Sequence, residues 1–179
     1  MKKHNNVVIF LIKFFATYFI LFAVYATYLQ KSQQKKIGEF KTASITTTVA
    51  DQTVHLLEFF GYNSGAYQHK EELSVKLLIE GKYTARVIEG CNSISVIILF
   101  VAFIIAFAGT LKATLVFSFL GSILIYSINV GRIAFLALMI YKHPSQQNFL
   151  HSLVFPAIIY GAVFSLWVLW VNKFSNYKQ

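Results

Sequence analysis

Glu89-Gly90-Cys91-Asn92-Ser93-Ile94-Ser95-Val96-Ile97-Ile98-Leu99-Phe100 marks the place where a polar region ends and a long apolar run begins. Read as a membrane helix, that run puts Cys91, the only cysteine, at a helix N-terminus and at the membrane surface. A thiol there is chemically primed, because backbone N–H groups and the positive end of the helix dipole favour the thiolate. The plainer reading is a buried, inert cysteine, a common fate of free thiols.

Working outward, the composition supports the membrane reading. Hydrophobic residues make up 56% of the 179, charged residues only 13%, and mean hydropathy is +0.59. These are the values of an integral membrane protein. The net charge of +9 comes from scattered lysines and arginines that flank apolar runs. That pattern suits lipid headgroups, and no nucleic-acid partner is expected. All seven acidic residues lie between Glu39 and Glu89. The chain therefore divides into an N-terminal transmembrane anchor (1–30), a polar segment (31–90), a three-helix membrane block (91–172) and a short tail (173–179). The expected fold is an all-α integral membrane protein with about four transmembrane helices.

Val7 to Leu29 is long enough to cross a bilayer, and no small-residue cleavage site follows it, so an uncleaved anchor is expected rather than a signal peptide. In the polar segment, Thr46-Thr47-Thr48 offers N-caps for an amphipathic helix reaching Phe60. Its Ala50, Val54, Leu57 and Phe60 would share one face. Asn63 to Glu72 reads as loop. Alternation at Leu73, Val75, Leu77 and Ile79, then Tyr83, Ala85 and Val87, predicts a β-hairpin around Glu80-Gly81. The further spans are Ile94–Leu111, a run from Ala113 towards Tyr141, and one from about His151 to Val171, with Trp167 and Trp170 as interfacial aromatics. Lys2 and Lys3 favour an inside N-terminus. The polar segment is then extracytoplasmic and the tail cytoplasmic. The protein is expected in the cell inner membrane, with its site facing the periplasm.

With four spans, Cys91, Arg132 and His151 fall on one side of the membrane whatever the orientation. Singly, each has a plain reading: a packed thiol, a snorkelling arginine, an interfacial histidine. Together they suit acyl transfer. The thiolate attacks a peptide carbonyl, the histidine moves the proton, and the permanently cationic arginine stabilises the oxyanion. Asn129 lies one turn before Arg132 and can orient it or the substrate, as can Asn92 and Ser93 beside the thiol. Cys91, His143 and His151 lack metal-ligand spacing, so no metal or other cofactor is expected.

These residues resemble a family. Glu89-Gly90-Cys91-Asn92-Ser93-Ile94-Ser95, Asn129-Val130-Gly131-Arg132 and His151 within Phe149-Leu150-His151-Ser152 look like the exosortase/archaeosortase family, and the short chain looks like its F-type branch. The resemblance covers roughly positions 89 to 170. The common family form has Ser-Gly after the cysteine, where this chain has Asn92-Ser93. The resemblance implies a membrane cysteine transpeptidase or protease with Cys91, Arg132 and His151 as active residues. Its partners would be exported proteins ending in a recognition motif, a transmembrane helix and a basic tail. Two other classes stay open: a non-catalytic membrane subunit or assembly factor for surface export, and a small transporter using Arg132 as an intramembrane contact.

Overall fold

The computed structural model describes residues 2–36, 39–107, 109–144 and 153–175. The order is α1 (Lys2–Ser32), β1 (Gln34–Lys36), β2 (Glu39–Lys41), α2 (Ser44–Phe59), β3 (Ser64–Gln68), β4 (Ser74–Ile79), β5 (Lys82–Ile88), a 3-10 turn (Glu89–Cys91), α3 (Ile94–Ala106), α4 (Leu111–Lys142) and α5 (Phe155–Lys173). The fold is mostly helical, and α1, α4 and α5 are each long and apolar enough to cross a membrane. The polar segment holds more strand than the one hairpin expected: among the described residues there are five strands in two antiparallel sheets, β1-β2 and β3-β4-β5.

The run expected to span from Ile94 to Leu111 is shorter than read. Helix α3 has 13 residues. At about 1.5 Å per residue that is roughly 20 Å, short of a hydrocarbon core of about 30 Å. It packs beside α1, with the Phe10 ring 5.9 Å from Phe103 and 4.5 Å from Phe107.

Helix α4 does the opposite. Its 32 residues reach about 48 Å, well beyond one hydrocarbon core. The two halves bury side chains against different neighbours. The first half exposes Leu115, Phe119, Leu120 and Ile123, as a lipid-facing helix does, while Ile125 packs with Phe100, Ile104, Ile159, Val163 and Trp170. Gly121 admits the Phe100 ring, whose Cε1 would lie 2.6 Å from any added Cβ. Such close approach between helices is the packing that membranes reward. The second half buries Val130, Ile133, Ala134 and Ala137 against α2 and the sheet, forming a separate cap. Trp170 is not interfacial. It is fully buried, with its ring 5.0 Å from Phe117, and Trp167 stacks on Phe103 at 4.2 Å.

In the cap, Glu80 and Gly81 both take positive φ (49° and 72°), the two-residue turn that matches strand twist. Val75, Leu77 and Ile79 face the core as expected. On β5 the alternation slips. A bulge between Leu77 and Leu78 pairs Leu77 with Ala85 and Leu78 with Tyr83. Thr84 is the extra residue; it turns inward and donates to the Leu77 carbonyl at 3.1 Å, while Tyr83 is exposed. The segment read as loop contains β3, which pairs with β4 along its whole length. Its Ser64-Gly65-Ala66 carries no apolar alternation; its register comes from the partner strand. On α2, Ala50, Val54 and Leu57 are buried, but Phe60 lies just past the helix and is exposed.

Candidate active site

The thiol sits on the 3-10 turn that joins β5 to α3, three residues before the helix proper, and is half-buried. Two neighbours in sequence tie this turn down from either side. The Glu89 carboxylate accepts the Ala43 backbone N–H at 2.7 Å and the Thr46 hydroxyl. It therefore caps α2, whose own N-cap residue, Ala43, has no side chain able to do so. The expected threonine caps are absent; Thr46 is spent on Glu89. The Asn92 side chain, 1% exposed, donates to the Tyr25 hydroxyl at 2.7 Å and to Thr46 Oγ1 at 3.3 Å, and accepts the Ile94 N–H at 3.0 Å. One connected network thus links the anchor helix, the cap helix and the residues flanking the thiol.

Asn129 is likewise buried, and its amide donates to the Cys91 backbone carbonyl at 2.7 Å. It fixes the main chain of Cys91 rather than the Arg132 side chain. Asn92, Ser93 and Asn129 lie behind the site and hold it in place.

Ser93 takes φ 64° and is 2% exposed, and among the described residues its hydroxyl has no partner. A left-handed conformation costs a side-chain-bearing residue about 1–2 kcal/mol. Glycine at this position would meet no such cost. Ser93→Gly is therefore expected to raise thermal stability in detergent by about 1 kcal/mol, since the relieved strain and desolvation exceed the added chain entropy of about 0.5–1 kcal/mol. A lower unfolding temperature for this variant would contradict that account.

In front of the network lies a groove of about 420 Å³, lined by Ala85, Arg86, Ile88, Gly90, Cys91, Arg132, Ile133, Leu136, Ile140 and Pro156. It brings together two of the three expected active residues, Cys91 and Arg132, which are 41 positions apart in sequence (132 − 91). Arg132 lies close to Cys91 and to Tyr160 on α5, and among the described residues no carboxylate pairs with it. A guanidinium without a carboxylate, beside a thiol in a partly apolar groove, is placed to meet negative charge that develops there. His151 lies outside the described residues. Sequence reasoning missed Tyr25, Thr46 and Glu89. Glu89 was in plain view beside the cysteine, but its partners are 43 to 46 residues away.

No curated protein and no solved structure matches the chain. The transmembrane exosortase family (Exosortase_EpsH) matches residues 8–172, nearly the whole length, so this multi-pass membrane protein belongs to that family.

Proposed function

We propose that the protein is a membrane-embedded cysteine transpeptidase or protease acting on the C-terminal sorting signals of exported proteins. The observation that carries the reading is the shared groove of Cys91 and Arg132. The Cys91 thiol gives its proton to His151 as the sulfur attacks the scissile carbonyl, and Arg132 stabilises the resulting oxyanion. The C–N bond then breaks, and the amine leaves with a proton supplied by His151. The thioester on Cys91 is resolved by water or by an amine, which restores the thiol. The substrates are exported proteins with a terminal motif, a transmembrane helix and a basic tail. We place the protein in the inner membrane, with four crossings, the short α3 returning the chain from the cap to the level of Phe10 near the start of α1, and with the cap and groove facing the periplasm.

The thioester is directly testable because the chain has a single cysteine. Intact-mass spectrometry of protein isolated from cells should find an acyl adduct that hydroxylamine removes, and peptide mapping should place it on Cys91. Terminal processing without any hydroxylamine-sensitive adduct would overturn the covalent mechanism.

A further inference from the structure

Strand β5 is an edge strand: it pairs with β4 on one side, and among the described residues no backbone group pairs with the other. Free edges invite strand addition, and proteins commonly block them. Here the free edge opens into the site. Ala85 and Arg86 are consecutive and so point to opposite faces of the sheet, yet both line the groove that holds Cys91. A groove touched by both faces of a strand runs along that strand's edge. The edge then continues through Ile88 and Gly90 to the thiol, and an ideal Cβ placed at Gly90 would meet nothing within 4 Å. The facing wall is one side of α4, carrying Arg132, Leu136 and Ile140 at helical spacing.

What an unpaired edge offers is a row of N–H and C=O groups at about 3.3 Å per residue, and an extended backbone is the partner that satisfies such a row. The direction is also fixed. Lys82, at the start of β5, reaches the ring of Tyr141 near the outer end of α4, with Nζ 5.5 Å from the centroid. Cys91, past its end, is held by Asn129 near the helix's middle. β5 therefore runs from the outer end of the cap towards the membrane block. A substrate whose following helix lies in the bilayer runs the same way.

We propose that the segment preceding the substrate's membrane helix binds as an added strand, parallel to β5, so that its scissile carbonyl is delivered to Cys91. This rests on the peptidase reading above. Backbone pairing supplies the affinity, and every second substrate side chain faces the apolar wall of α4. Selection then falls on alternate positions of the segment rather than on a contiguous motif.

The probe is a synthetic peptide spanning the cleavage point and the segment before it, from a protein whose C terminus differs between wild-type and Cys91→Ala cells. It is N-methylated one amide at a time and assayed with the full-length enzyme in detergent. Expected is a loss in kcat/KM of about five- to tenfold at every second amide, as for one hydrogen bond lost, with little change between. As a second arm, a single cysteine is moved from position 86 to 88 in a Cys91→Ala background, as Arg86→Cys and then Ile88→Cys. Its disulfide partner on a cysteine-scanned peptide should move towards the peptide's C terminus. Uniform sensitivity to N-methylation with cleavage intact, or a crosslink that moves towards the N terminus, overturns parallel strand addition and leaves the peptidase reading standing. If no protein's C terminus differs between the two strains, both fail.

Discussion

Cys91→Ala should abolish terminal processing while leaving the protein folded and inserted. Exported proteins with a terminal helix should accumulate at full length, as C-terminal mass spectrometry of wild-type and mutant cells would read directly. The structure separates this chemical effect from a structural one. Cys91 is only partly buried at the margin of the cap core. Its tie to Asn129 runs through the backbone carbonyl, which alanine keeps. Losing one small sulfur from a partly buried site costs about 1 kcal/mol. Nothing in that loss unfolds the cap, so a null phenotype reports the missing nucleophile. Arg132→Lys should keep a charge in the groove but lose the planar fork, lowering the rate by about 10²- to 10³-fold if its role is oxyanion stabilisation. The double variant Cys91→Ala/Arg132→Lys should be no worse than Cys91→Ala, because residues that act as one unit are not additive. Unchanged termini in a normally inserted Cys91→Ala protein would remove the enzyme reading and favour a non-catalytic subunit.

The parts of this arrangement that were legible in the sequence are those marked by contrast. Cys91 stands at the margin of one apolar run and Arg132 interrupts another, and the two line one groove. The two-residue turn at Glu80-Gly81 carries its own backbone signature. What stayed hidden had no contrast to show. Ile133, Ala134 and Ala137 read as part of the membrane run towards Tyr141, because an apolar side chain looks the same whether it meets lipid or a protein core. Only the packing of α2 and the sheet distinguishes the two. The short α3 was hidden likewise, since the apolar run continues through Phe107 and into α4 across the turn at Gly109-Thr110. β3 is polar and takes its register from β4. Asn92 and Ser93 were read by proximity to the thiol as substrate-facing. Burial and hydrogen bonding give Asn92 three partners behind the site, and Ser93 occupies a backbone conformation invisible in its side-chain chemistry.

Glu89→Ala should have the largest effect on stability of any single change outside the two cores, and it should also loosen the thiol. The carboxylate accepts two hydrogen bonds at the start of α2, one from a main-chain N–H and one from a hydroxyl that is fully buried. A negative group at a helix N-terminus also interacts favourably with the helix dipole. Charge-assisted bonds contribute about 1.5–3 kcal/mol each and a cap about 1 kcal/mol, with overlap between them, so a loss on the order of 3 kcal/mol is expected. Glu89→Gln keeps the shape and one acceptor oxygen but turns an amide N–H₂ towards one of the two donors. It should fall between wild type and alanine in thermal unfolding of the detergent-solubilised protein. The single cysteine provides a local readout. Because Glu89 begins the same three-residue turn that ends at Cys91, releasing the carboxylate should speed alkylation of Cys91 by a maleimide at temperatures well below unfolding. Thr46→Val removes the hydroxyl shared by Glu89 and Asn92, and in a double-mutant cycle with Glu89→Ala it should show a coupling of about 1–3 kcal/mol. Additive effects, or an alkylation rate indifferent to Glu89, would mean that α2 and the cysteine turn are held independently. The network would then be a set of separate contacts, and the cap would not position Cys91 through it.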